Sequence, residues 1–171
     1  MNSKIELSNI DLLSNIDLQV YCHKLKIPIK SITFKDLYKY IKPEDGAYII
    51  NLDDSTTKKY GTHWSCLIII NSYALYWDSF GLPIPTPIKH FIQKNKCKKI
   101  YYSIDQIQKL NSNLCGYYVI YFLYFITVLN KRCNKYKYLI NRHNSIYSVE
   151  NRYLNDRILQ NLIKNIFNLN L

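Results

Sequence analysis

Apolar residues in this chain fall into short patterned blocks, separated by polar stretches that carry glycine or proline. Over residues 7–25, Ile10, Leu13, Ile16, Val20 and Leu25 recur at near-helical spacing behind serine and aspartate start signals, which predicts one or two amphipathic helices. Pro28 ends that pattern, residues 36–41 (DLYKYI) read as a short helix stopped by Pro43, and a turn at Glu44-Asp45-Gly46 feeds a strand over 47–52. A polar loop at 53–60 follows. Beyond Gly61 the run THWSCLIII is apolar on both faces, as a strand in the middle of a sheet should be. Asn71-Ser72 makes a turn, with 73–79 as the hairpin partner. Pro83, Pro85 and Pro87 then exclude regular structure, and 99–104 (KIYYSI) forms a further strand. The cap-type residues Asn111, Ser112 and Asn113 lead into a helix over about 114–130 that is apolar nearly all round and therefore buried. Residues 131–144 read as a basic connection. A last helix over about 149–167 gathers Leu154, Ile158, Leu159, Leu162, Ile163, Ile166 and Phe167 on one side. The order predicts an α+β fold, a central mixed or antiparallel sheet against a buried helix. No repeat or linker divides residues 1–171, which read as a single domain.

Composition narrows the setting. The longest apolar run, 117–129, is short of the roughly 20 residues a membrane span needs and is rich in tyrosine, so no membrane role is expected. Met1 to Glu6 shows no basic-then-apolar leader, which predicts a protein that is not secreted. Five cysteines, an odd number with no C-x-x-C pair, argue against a disulfide framework. His63 and Cys66 have the nearest thing to metal-ligand spacing, but on a strand they point to opposite faces, so no metal is expected. Lys and Arg total 23 against 12 Asp and Glu, a net charge of +11. That balance suits a polyanion such as nucleic acid, or simply a solvated basic surface.

Cys115 is the sharpest chemical signal. It opens the buried helix, where the helix dipole and free N–H groups stabilise a thiolate. Cys22, Cys66, Cys97 and Cys133 lack such surroundings and read as packing residues. A thiolate needs a base, and His63 begins the central strand; His23, His90 and His143 read as solvated. If the hairpin turns between Asn71 and Ser72, Ile70 pairs with Tyr73, Ser65 with Asp78 and Phe80 with His63. Asp78 then becomes a diagonal neighbour of His63 on the same face, with Cβ atoms at most about 7–8 Å apart. A slip of one residue would send it to the other face. Nucleophile, base and orienter would then be in place for acyl transfer. An oxyanion donor is also required, and Gln108, Asn111 and Asn113 each offer an amide; spacing does not choose among them. Gly61, Gly81 and Gly116 each lie within three residues of His63, Asp78 or Cys115, and serve either close approach of substrate or turns and packing.

GTHW (61–64), YWDSFG (76–81) and QKLNSNLCG (108–116), in that order, resemble the adenovirus-type maturation cysteine proteases and, more distantly, the SUMO-deconjugating peptidases of the same papain-like clan. The resemblance implies His63 as base, Asp78 as acidic member, Gln108 as oxyanion donor and Cys115 as nucleophile, with Trp64 narrowing the substrate cleft around a glycine-containing cleavage site. Adenoviral enzymes usually carry glutamate where Asp78 stands, so this chain resembles the deconjugases there. It further implies a monomer in the virion and the host-cell cytoplasm that cleaves viral capsid or core precursors, with DNA or an activating peptide as cofactor; Cys97 lies where such a peptide is tethered in the adenoviral family. The rival expectations are a deconjugase for ubiquitin-like modifiers and a basic nucleic-acid-binding virion protein without catalysis.

Overall fold

A computed structural model describes residues 12–57 and 63–168. The fold is organised by the hairpin. Asn71 and Ser72 take left-handed backbone conformations, φ 50° and 65°, and positive φ at both turn residues matches the twist of a two-residue hairpin. This turn sets β3 (Trp64–Ile70) antiparallel to β4 (Tyr73–Trp77), from Ile70 opposite Tyr73 to Cys66 opposite Trp77. The predicted register is the observed one. β2 (Gly46–Asn51) adds antiparallel to β3, while β1 (Ile29–Phe34) and β5 (Lys99–Tyr102) pair in parallel at the two rims. The sheet therefore has five strands in the order β1-β2-β3-β4-β5, with β3 at the centre.

Both faces of the sheet are covered. Because strand side chains alternate, Ile49, Cys66, Ile68, Leu75 and Trp77 face one core, and Tyr48, Ile50, Leu67, Ile69 and Tyr76 face the other. The first core receives α1 (Asn15–Lys24), α3 (Cys115–Tyr124), α4 (Tyr136–Asn144) and α5 (Arg152–Asn168). The second receives the 3-10 turn Lys35–Tyr40 and α2 (Thr86–Lys94). Every residue of α3 is buried, and the helix runs on through a π-helical stretch, Phe125–Leu129, so its extent is close to prediction. Phe122 stacks on Trp77 with ring centroids 4.7 Å apart, fixing α3 against β4.

Several elements depart from the sequence reading. β1 has no predicted counterpart. α2 begins among the prolines taken to exclude structure: Pro85 is its N-cap and Pro87 lies in its first turn, where a missing N–H costs no hydrogen bond. α4 replaces part of the expected connection, burying Tyr136, Leu139, Ile140 and His143 at helical spacing while its charged residues face out. His143 was read as solvated; it is fully buried, because it lies on this inner face. Ser14 caps α1 reciprocally with Asp17, but the helix buries Leu18 and Cys22 and leaves Ile16 and Val20 exposed, a rotation of the expected face. Ile10 lies outside the described residues. In α5, Leu154 is exposed. No helix among the described residues is long and apolar enough to cross a membrane.

Candidate active site

Carried past the ends of β3 and β4, the hairpin register brings His63 and Asp78 together. His63 Nε2 lies 2.8 Å from Asp78 Oδ2, and the Phe80 ring stacks on the imidazole at 4.6 Å. Asp78 is fully buried, and its Oδ1 accepts from the backbone N–H groups of Phe80 (2.8 Å) and Leu82 (3.3 Å). The carboxylate is thus held by the backbone that follows it. Gly81 completes this turn at φ 68°; a Cβ on it would sit 2.4 Å from the Ile104 carbonyl oxygen. A Cβ on Gly116 would meet the Leu13 side chain at 3.1 Å. Both glycines therefore admit other parts of the chain; Gly61 lies outside the described residues.

Cys115 is the first residue of α3 and is 2% exposed. The predicted cap residues do not cap: Leu114 is the N-cap residue, no side chain bonds the first turn, and Ser112 Oγ instead accepts from the Leu114 N–H at 3.3 Å. The helix start is left to stabilise some other negative group. Burial alone would lower the His63 pKa, but its hydrogen bond and charge interaction with Asp78, joined by those with Cys115, outweigh burial and raise it to about 9. His63 Nδ1 is buried without a well-formed hydrogen bond, and the Cys115 thiol is the other group acting on the ring. Three other cysteines have thiols raised above their ordinary range. Burial pushes the Cys22 thiol up to about 12 and Cys66 well above its ordinary value, as suits inert packing residues. Cys97, half-buried, is also raised, chiefly by burial.

The three amides left open by spacing separate by burial. Asn111 and Asn113 are exposed, whereas Gln108 is fully buried. Gln108 Oε1 accepts from Ser79 Oγ at 2.5 Å, and its Nε2 donates to the Ser112 carbonyl at 2.7 Å. Trp64 is 6% exposed, and its indole N–H donates to the Leu13 carbonyl at 3.0 Å. One edge of this tryptophan is thus occupied by the segment leading into α1. Among the described residues no cluster of His, Cys, Asp and Glu could hold a metal ion.

Sequence reasoning passed over two polar residues that shape this region. Ser79 follows Asp78, and its carbonyl accepts from the N–H groups of Ile107 and Gln108, both at 2.9 Å. Asn155 of α5 is fully buried and donates to the carbonyls of Ile107 (2.8 Å) and Ser148 (2.7 Å). Asn155 carried one faint signal, a polar residue beside the apolar stripe of its helix. Ser79 carried none beyond its place in the YWDSFG motif.

No protein-family model and no curated protein matches the sequence. Solved structures do. Two crystal structures of the ASFV pS273R protease, one in the selenomethionine form, superpose with TM-scores of 0.54 and 0.50 at 16% and 18% identity. Each alignment covers 77% of this chain and 62% of the other, so the chain spans about three fifths of the length of that protease. The fold is thus shared with the ASFV pS273R protease. In it, the buried helix packed against the mixed sheet presents Cys115 at its first turn.

Proposed function

We propose that this protein is a cysteine endopeptidase in which Cys115, His63, Asp78 and Gln108 carry the reaction. The observation that carries the reading is the 2.8 Å His63–Asp78 pair, with Cys115 acting on the same imidazole from an uncapped helix start. Cys115 gives its proton to His63, and the sulfur attacks the scissile carbonyl carbon. Gln108 Nε2 and the Cys115 N–H stabilise the oxyanion, and each such donor contributes about 2.7–4 kcal/mol to the transition state. His63 then returns the proton to the departing amine as the C–N bond breaks. A water, giving its proton to His63, attacks the thioester; the carboxyl product leaves and the thiol is restored. Asp78 keeps the imidazole oriented and favours its cation.

The narrower assignment is an adenovirus-type maturation protease, found in the virion and host-cell cytoplasm, that processes viral capsid or core precursors at glycine-containing sites. It draws on the three sequence motifs. Burial supports the glycine preference: a nucleophile only 2% exposed, with Trp64 also nearly buried, admits a thin backbone more readily than a branched side chain. DNA as a cofactor draws on the net charge of +11. A deconjugating activity on ubiquitin-like modifiers is the second reading, favoured by aspartate rather than glutamate at position 78.

The test mixes the protein with the structural proteins encoded beside it and, separately, with a ubiquitin-like modifier precursor ending in Gly-Gly. Wild type is compared with Cys115→Ala and His63→Ala. Cleavage by wild type alone supports the triad, and the substrate cleaved chooses between the readings. Equal cleavage by all three sinks it. Salt-sensitive DNA binding unaffected by Cys115→Ala, with no hydrolysis, would make the protein a nucleic-acid-binding one.

A further inference from the structure

An amide side chain donates to an oxyanion only if its nitrogen, not its oxygen, is turned to the reacting group, and the two ends of a glutamine are nearly identical in shape. The surroundings of Gln108 decide which way it points. The Ser112 carbonyl can only accept, so the Gln108 atom 2.7 Å from it is the nitrogen. Oε1 then faces Ser79 Oγ at 2.5 Å, and the Ser79 hydroxyl must donate. Ser79 is fully buried, so water cannot take over this bond. Its carbonyl meanwhile accepts from the N–H groups of Ile107 and Gln108, tying the backbone of the same residue. The loop is braced from its other side by Asn155 on the Ile107 carbonyl and by Arg152 Nε on the Gln106 carbonyl at 3.0 Å.

We propose that Ser79 is a positioning residue for the oxyanion site. Its hydroxyl locks the Gln108 amide in one of its two orientations, with one Nε2 proton committed to Ser112 and the other left for substrate. The residue that orients His63 and the residue that orients Gln108 are thus neighbours, so the end of β4 sets the geometry of both the base and the oxyanion donor. The proposal rests on Gln108 being that donor.

Two reagents that react at the same sulfur separate positioning from general damage. Acylation of Cys115 by p-nitrophenyl acetate passes through an oxyanion, whereas alkylation by iodoacetamide is a direct displacement without one. Rates are measured on the full chain, with the Cys115→Ala background subtracted. Ser79→Ala is expected to slow acylation about tenfold, the worth of one well-placed hydrogen bond, while alkylation stays within about twofold of wild type. Ser79→Thr, which keeps the donor, restores acylation. Gln108→Ala is expected to cost roughly a hundredfold, and adding Ser79→Ala to it costs nothing more. Ser79→Gly deletes the same hydroxyl should the alanine variant not fold. Normal acylation in Ser79→Ala with a loss in Gln108→Ala overturns the proposal alone; so does an equal fall in acylation and alkylation. Normal acylation in Gln108→Ala overturns the oxyanion reading and the Ser79 proposal with it.

Discussion

Asp78→Asn isolates what the carboxylate does for His63. The amide oxygen can replace Oδ1 as acceptor for the Phe80 and Leu82 N–H groups, so the turn survives, but an NH2 group now faces His63 Nε2. That group only donates, so the ring is driven to its neutral form with Nε2 bare. Burial, the strongest influence on His63, already disfavours the cation; without Asp78 only Cys115 opposes it, so the pKa falls from about 9. At 1.36 kcal/mol per pKa unit, the full rise from 6.5 to about 9 is worth about 3 kcal/mol of folded-state stabilisation, which is the ceiling for the share that Asp78 supplies. The sign follows from the raised folded-state pKa: the contribution is complete below about pH 6.5 and is lost as pH rises to about 9. Urea unfolding of wild type and Asp78→Asn between about pH 6 and pH 9.5 should show a stability gap of up to about 3 kcal/mol at the acid end that closes toward the alkaline end. A gap that does not change with pH would refute the reasoning, since it would mean that Asp78 acts only through the turn.

His143 should act in the opposite sense. Burial, partly offset by its hydrogen bond to Asn144, lowers its pKa to about 4, so stability is complete above about pH 6.5 and falls by about 3 kcal/mol as pH drops toward 4. His143→Gln should flatten that acid limb in urea titrations, and an unchanged limb would count against the assignment. Gly81→Ala should cost about 1–3 kcal/mol from backbone strain and more from the contact with Ile104, seen as a lower melting temperature; wild-type melting would rule out the φ 68° turn. Phe122→Ala should cost about 3–5 kcal/mol, because it empties the stack on Trp77, and a loss under about 1 kcal/mol would mean α3 does not pack there.

How much of this could be read from the sequence depended on the range of the interaction that decides each feature. The His63–Asp78 pair was legible because a two-residue turn at Asn71-Ser72 fixes every later pairing, so a 15-residue separation reduces to counting. The place of Cys115 at a helix start was legible because a helix start is a local event, although Ser112, one of the expected cap residues, bonds the Leu114 N–H instead of the first turn. β1 was not: Lys30, Ser31 and Thr33 interrupt its apolar residues and none of its residues is fully buried, so it shows no strand pattern. α4 carried its signal in the spacing of Tyr136, Leu139, Ile140 and His143, but the intervening charges obscured it. The Ser79–Gln108 bond joins residues 29 apart, and the Asn155–Ile107 bond residues 48 apart. Each links an ordinary polar residue to a loop whose path depends on the whole sheet. Burial then makes these bonds matter, because a polar atom sealed from water without a partner costs about 1–3 kcal/mol. A motif can therefore single out Gln108, but the direction of its amide is a property of the folded packing around Ser79.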